Sequence, residues 1–141
     1  VTRIEFLHGA PDRLTAAASW LRQAWARRRR VMVYVPERKE AEDLGRLLWS
    51  QPATGFVPHC LANSALADET PIVMTDNLDR LPHDVCLLNL ADELPPGFSR
   101  FEELVEIVST SDADRLPARE RFKFYRERGY ALEARDISGG L

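Results

Sequence analysis

The chain has 141 residues, of which 45% are hydrophobic and 29% are charged, and a chain of this length and composition can fold around a core without disulfides or metals. Its 19 basic and 22 acidic residues leave a formal charge of −3, whereas proteins that wrap nucleic acid carry a basic excess. The N-terminus is too charged for a signal peptide, and no apolar run reaches the roughly 20 residues of a membrane span. We therefore expect a cytoplasmic protein without a membrane segment, although a local basic patch is compatible with this charge.

The first half of the chain alternates short apolar runs with amphipathic stretches. Residues 4–7 predict a strand, and Asp12 can cap a helix that continues to about residue 28. The unbroken apolar run at 31–35 predicts a strand buried on both faces, as at the centre of a parallel sheet. A second helix is predicted over 37–50, because apolar residues recur there at helical spacing.

The second half continues the same alternation after a long connection. In chain order we predict a loop over 51–71 with short structure near 60–65, followed by strands at 72–74 and 85–90. A turn at 94–97, a short helix within 98–104 and a last strand at 105–108 come next. The closing helix should begin at Asp112 or Asp114 and continue to about Arg128, with Gly129 ending it and a frayed tail over 137–141. This order predicts an α/β fold with three layers and a mostly parallel sheet. No repeat or linker interrupts it, so we expect one domain over residues 1–141.

The sequence offers little support for catalysis. The first strand-to-helix turn contains a single glycine, and neither a GxGxxG motif nor a phosphate-binding loop occurs. His8, His59 and His83 are scattered without a metal-binding or catalytic pattern, and His83 is expected in an exposed loop. We predict no catalytic residues, no metal and no cofactor. The alternative is a nucleotide-dependent or hydrolytic enzyme on a Rossmann-like sheet, with Asp92 and Glu93 as its acidic residues.

The two cysteines, Cys60 and Cys86, form no CxxC pair and have no zinc-site spacing. A disulfide between them and two buried free thiols both fit the sequence. A reducing cytoplasm favours the free thiols.

Two surface features suit protein binding better than catalysis. Trp49 ends a predicted helix, and Phe56 and Val57 follow between Pro52 and Pro58, which stiffen the loop and reduce the entropy that a partner must remove. Packing of these apolar residues on the protein's own core is the alternative.

The second feature is the closing helix, where residues 115–128 hold six basic and two acidic side chains. Four of the basic residues recur at helical spacing and line one stripe: Arg115, Arg119, Lys123 and Arg126. Phe122 lies at the edge of this stripe, whereas Ala118 and Tyr125 should face the sheet. Cations beside an apolar notch suit an acidic peptide with an apolar end. A solvated helix face and a direct DNA-binding surface are the alternatives.

At these two features the sequence resembles the chi subunit of bacterial DNA polymerase III. Residues 48–62 match the family pattern LW-x-x-P-x-x-x-FVPH-x-LA, and residues 118–130 match A-R-E-R-[YF]-K-x-YR-x-x-G-[FY]. The resemblance covers nearly the whole chain and is weakest over 63–82. It implies a Rossmann-like domain without a nucleotide, in agreement with the missing phosphate loop.

The resemblance also implies two partners for a non-catalytic adaptor of the clamp loader. One is the acidic, phenylalanine-terminated C-terminal tail of single-stranded DNA-binding protein (SSB), and the other is the psi subunit. The residues that correspond to the tail pocket are Val108, Arg115, Arg119, Phe122 and Lys123. The residues that correspond to the psi surface are Trp49, Phe56 and Val57. The family implies no tight direct binding of nucleic acid.

Overall fold

A computed structural model describes residues 2–49 and 57–141 and contains a sheet of seven parallel strands. The strands are β1 (Arg3–Ala10), β2 (Val31–Tyr34), β3 (His59–Leu61), β4 (Ile72–Thr75), β5 (Cys86–Asn89), β6 (Glu103–Ser109) and β7 (Ala131–Asp136). Their order across the sheet is β3-β4-β2-β5-β6-β1-β7, and every neighbouring pair runs parallel. The α/β fold with a parallel sheet is therefore confirmed.

Among the described residues, three α-helices cover the two faces of the sheet and produce the predicted three layers. They are α1 (Arg13–Ala26), α2 (Arg38–Trp49) and α3 (Asp112–Glu127). Along β2, Val31 and Val33 join the core beneath α1 and α2, whereas Met32 and Tyr34 join the core beneath α3. This alternation is why the run was apolar throughout: both faces of a central parallel strand are buried.

The ends of the helices follow the predicted capping chemistry. The Asp12 side chain accepts a hydrogen bond from the Thr15 backbone N–H at 2.9 Å and caps α1. Ser111 caps α3, so the helix begins at Asp112. Gly129 follows the helix with a φ of 80°, a left-handed conformation that glycine adopts without a Cβ clash.

The C-terminal prediction is wrong in two respects. A further strand, β7, follows β6, and the first residue of the predicted frayed tail is attached to the fold. β7 pairs with β1 at the edge of the sheet, and Leu132 is the only one of its six residues that is not exposed. Ile137 beyond it is buried, and its N–H donates to the His8 carbonyl at 2.8 Å. An edge strand with little buried surface has no apolar run by which the sequence could reveal it.

Two shorter elements also differ from the predictions. The short helix within 98–104 is a single 3-10 turn over Phe98–Arg100, because β6 already begins at Glu103. The predicted loop contains the short edge strand β3, paired with β4, and a 3-10 turn over Ala67–Glu69. Neither Cys60 nor Cys86 forms a disulfide; Cys86 is buried and Cys60 is partly exposed.

A buried ion pair holds α3 on the sheet. Glu106 on β6 is 0% exposed, and its carboxylate accepts hydrogen bonds from Arg121 Nε at 3.0 Å and Nη2 at 3.1 Å. The Tyr125 hydroxyl donates to the same carboxylate at 2.8 Å, and the Asn89 amide donates to it at 3.0 Å. Burial and the Glu106 charge raise the pKa of Tyr125, so its hydroxyl remains a donor. These bonds set the rotation of α3 and so decide which of its side chains face solvent.

A second buried arginine fills the space beside this pair. Arg13 Nε donates to the Ile107 carbonyl at 2.8 Å, and Nη2 donates to the Ala91 carbonyl at 3.0 Å. Its Nη1 also lies 3.4 Å from the Asp92 carboxylate. The arginine therefore satisfies carbonyls at and beyond the carboxyl ends of β5 and β6, where Rossmann-like sheets otherwise receive a ligand.

Breaking the ion pair from one side should be more damaging than removing both charges. Arg121→Met leaves the Glu106 carboxylate buried without its cation, and we expect the free energy of unfolding to fall by about 3–5 kcal/mol. The double variant Glu106→Leu/Arg121→Met removes both charges of the pair, so its loss should be smaller than the sum of the two single losses, although Tyr125 loses an acceptor. Urea denaturation of all four proteins measures this coupling, and additive losses would show that the two charges act independently.

The environment of His83 predicts a loss of stability in acid. The prediction of an exposed side chain is wrong, because both ring nitrogens are shielded from solvent. This burial, together with nearby Arg30 and against the smaller opposing effect of Asp84, lowers the pKa of His83 to about 4. An unfolded histidine has a pKa near 6.5, so the unfolded state takes up the proton first as the pH falls. We expect this residue alone to reduce the free energy of unfolding by about 2–3 kcal/mol between pH 6.5 and pH 4.

The measurement is denaturant unfolding of the native protein and His83→Gln at several pH values in that window. The variant should lose less stability than the native protein as the pH falls. Parallel curves for the two proteins would contradict the assignment to His83.

Candidate functional site

The basic stripe predicted on the closing helix lies on the outer surface of α3. Arg115, Arg119 and Lys123 are exposed, whereas Ala118 and Tyr125 face the sheet as predicted. Arg115 pairs with Asp112 one turn earlier at 2.6 Å. Arg119 and Lys123 form no ion pair with any residue in 2–49 or 57–141. Their charges are therefore available to an anionic partner.

Phe122 supplies an apolar surface next to these cations. Its ring is half-buried and meets the Phe6 ring edge-to-face, with 5.1 Å between the centroids. The Arg126 guanidinium lies 5.9 Å from the centroid of the Phe122 ring. Because Phe6 belongs to β1, the sheet holds Phe122 in one orientation, which is the geometry of a preformed contact for an apolar side chain.

Val108 takes a different place from the other predicted residues of the tail pocket. It is 4% exposed and packs in the core layer beneath α3, near the carboxyl end of β6. The structure brings Val108 and Phe122 into one apolar cluster but leaves almost none of the valine surface open to solvent.

Sequence reasoning missed two residues of α3 that matter for this surface. Leu116 is 50% exposed, and it precedes Arg119 by three positions and Lys123 by seven, so it adds an apolar side chain beside the stripe. The spacing of this apolar residue from the basic residues was the signal in the sequence that could have identified it. Arg121 was indistinguishable from the other arginines of the helix, because only the buried Glu106 on β6 gives it an inward role.

The predicted psi surface is only partly described. Trp49 ends α2 and is 70% exposed. Phe56 lies outside the described residues. Val57 is 2% exposed and packs in the core layer beneath α1 and α2, so its side chain follows the alternative interpretation of packing on the protein's own core.

The acidic pair of the enzyme alternative lines an open cavity of about 570 Å³ between the loop at 92–94 and α3. Asp92 lies 3.4 Å from Arg13, and the Asp92 carbonyl accepts from Arg121 Nη1 at 2.6 Å. Glu93 is exposed in the same loop. Within residues 2–49 and 57–141 no group of three or more His, Cys, Asp or Glu side chains is arranged to hold a metal ion. Nor is any helix in these ranges long and apolar enough to span a membrane.

Comparison with known proteins agrees with the resemblance at the two motifs. The family model described as "DNA polymerase III chi subunit, HolC" matches residues 1–133. A DNA polymerase III subunit chi from Pseudomonas aeruginosa is 31% identical over 121 residues, which cover 86% of this chain and 84% of the relative. The Escherichia coli protein of the same name is 31% identical over 112 residues, which cover 78% and 76%. The Haemophilus influenzae protein is 30% identical over 117 residues, which cover 80% and 79%. With this fold, these motifs and a match over almost its whole length, the chain belongs to the DNA polymerase III chi subunit family.

Proposed function

We propose that this protein is a non-catalytic, cytoplasmic adaptor of the clamp loader that binds the acidic C-terminal tail of SSB through α3 and the psi subunit through the surface around Trp49. The observation that carries the tail assignment is the pairing of two uncompensated cations, Arg119 and Lys123, with the fixed ring of Phe122. The alternative of a solvated helix face does not account for an aromatic ring that is held against the sheet beside these charges.

Each part of the tail has a matching group on α3. Arg119 can hold the terminal carboxylate with two parallel hydrogen bonds, because its guanidinium presents a planar fork of donors. Lys123 attracts the aspartates of the tail as a compact charge. Arg115 is engaged by Asp112 and adds mainly longer-range attraction. Phe122 receives the terminal phenylalanine ring, with Val108 supporting the pocket from the core.

The buried ion pair makes this surface rigid before the peptide arrives. Arg121 and Tyr125 fix α3 to Glu106, and Phe6 fixes Phe122. A partner that binds such a surface loses less entropy in ordering it, so a short peptide can bind usefully. We expect a dissociation constant on the order of micromolar, about −8 kcal/mol, that weakens with salt because the contacts are exposed charges.

The psi assignment depends on the exposed end of α2. Trp49 has 70% of its surface exposed, which is unusual for the largest apolar side chain unless a partner covers it. Tryptophan is also enriched among the residues that dominate binding energy in interfaces. In this proposal Phe56 adds a second aromatic contact, and Val57 anchors the loop in the core rather than touching psi.

The enzyme alternative has less support from the geometry. Asp92 and Glu93 line an open cavity, but Arg13 and Arg121 donate to the Ala91 and Asp92 carbonyls beside it, and the residues that the structure describes contain no group of His, Cys, Asp or Glu arranged to hold a metal ion. Protection of the protein from thermal unfolding by a nucleotide with Mg²⁺ would favour the enzyme over the adaptor.

Replacing Arg119 should abolish most of the tail affinity. In a titration with a labelled peptide that carries the acidic, phenylalanine-terminated tail, Arg119→Ala should weaken binding about 10- to 100-fold, because a charge-assisted hydrogen bond contributes about 1.5–3 kcal/mol. The matched control is Arg38→Ala on α2, whose side chain is 93% exposed and lies on the other face of the sheet. A peptide without its last phenylalanine should also bind weakly. Equal affinity of the native protein and Arg119→Ala would place the site elsewhere.

Replacing Trp49 should separate the two partners. Trp49→Ala should lower the affinity for purified psi at least tenfold, because a large anchor leaves the interface, while the affinity for the tail peptide remains unchanged. Leu66→Ala is the control, since Leu66 is another exposed apolar residue at 59%. Calorimetric titration of each variant with psi and with the peptide measures both effects. Unchanged psi binding by Trp49→Ala would remove this surface from the proposal.

A further inference from the structure

A second group of arginines lies at the end of α1, on the face of the sheet opposite α3. Residues 27–30 are all arginine, and Arg27, Arg28 and Arg30 are exposed. Arg29 is turned inwards, pairs with Glu103 at 3.0 Å and lies 5.5 Å from the centroid of the Trp20 ring. The run therefore divides into one inward arginine and three exposed ones, of which Arg30 donates to the Asp68 carbonyl at 2.8 Å and Arg28 donates to the Trp25 carbonyl at 3.3 Å.

Beside this run is a polar pocket of about 240 Å³. Side chains from β1, α1, β6, β7 and the arginine run line it: Glu5, Trp20, Gln23, Arg27, Arg29, Glu103 and Arg135. Glu103 is already held by Arg29 at 3.0 Å and by Arg3 at 3.4 Å. Arg27 and Arg135 form no ion pair with any residue that the structure describes. Two guanidinium groups from distant parts of the chain thus line one concave polar surface, which they share with the Glu5 carboxylate.

The backbone conformation of Arg28 indicates that an arginine does not stabilise this helix end as well as a glycine would. Arg28 has a φ of 57°, the left-handed conformation that glycine normally adopts after a helix. The Arg29 N–H donates to the Ala24 carbonyl at 2.9 Å, the hydrogen bond typical of this helix ending. In this position the Arg28 guanidinium lies 4.1 Å from the centroid of the partly exposed Trp25 ring. Strained residues that persist where glycine would be relaxed are found disproportionately at functional sites.

We propose that this end of the molecule, formed by Arg27, Arg28 and Arg135, binds the phosphate backbone of single-stranded nucleic acid. The forked guanidinium donors match phosphate oxygens, and the pocket offers them in a concave polar setting. Trp25 with Arg28 adds the combination of an aromatic ring and a cation that proteins use to hold single strands. Because the whole chain is acidic, the contact is local and weaker than that of a dedicated DNA-binding protein.

The test is fluorescence anisotropy of a labelled 20-residue oligothymidylate with the full chain over a range of salt concentrations. The native protein should bind at low salt and lose affinity as salt rises. The double variant Arg27→Gln/Arg135→Gln should bind about tenfold more weakly. Its slope of log affinity against log salt should be smaller by about 1.4, because each lost contact to a single strand removes about 0.7.

Two controls separate this surface from general electrostatics and from the stripe on α3. Arg38→Gln/Arg46→Gln removes the same charge from exposed positions on α2 and should change affinity less than twofold. Arg119→Ala should bind the oligonucleotide as the native protein does. Arg28→Gly should weaken binding while its thermal midpoint is unchanged or raised, a combination that a purely structural role for Arg28 would not produce.

Several outcomes would overturn the proposal. They are no binding at low salt, an unchanged slope in the Arg27/Arg135 double variant, loss of binding in Arg119→Ala, and displacement of the oligonucleotide by an equal charge concentration of polyglutamate. Because tail-peptide binding depends on Arg119 and not on Arg27, a failure here leaves the adaptor function intact, and the reverse also holds.

Discussion

The pairing of Glu106 with Arg121 is the interaction on which the arrangement of α3 depends. A carboxylate at 0% exposure is tolerable only with a full set of donors, and Arg121, Tyr125 and Asn89 supply them from α3 and β5. The bonds from Arg121 and Tyr125 to this carboxylate prevent α3 from rotating or sliding along the sheet. A purely apolar contact of equal area would have been compatible with several rotations of the helix, whereas a two-point guanidinium–carboxylate contact allows one.

That constraint divides the basic residues of one helix into two roles. Arg121 points inward and supports the fold, while Arg119 and Lys123 point outward beside Phe122. The inward arginine, together with Arg13, also donates to carbonyls near the carboxyl ends of β5 and β6. The carboxyl ends of these strands, where parallel α/β sheets typically bind a ligand, are thus partly occupied by the protein's own arginines.

Positive charge is concentrated at two places on a chain that is negative as a whole. The stripe on α3 joins its cations to an apolar ring, which favours a peptide with an apolar end. The end of α1 joins its cations to a polar pocket and to Trp25, which favours phosphate. The two surfaces lie on opposite faces of the sheet, so occupation of one does not obstruct the other. The surrounding negative charge limits nonspecific attraction and makes each contact depend on its own local chemistry.

The sequence by itself determined the fold class, the central strand at 31–35, the outward stripe of α3 and the family, because periodicity and motif spacing are local properties that a linear pattern preserves. It did not reveal β7, whose residues are mostly exposed. It also did not reveal the inward roles of Arg13 and Arg121, because only the folded chain brings these arginines into contact with Glu106 and with the carbonyls of β5 and β6. It also placed Val57 on a surface, although the sheet buries it. Which charges are compensated and which remain open, at α3 and at the end of α1 alike, was decided only by the tertiary structure, because compensation depends on distances between residues that are remote in the chain.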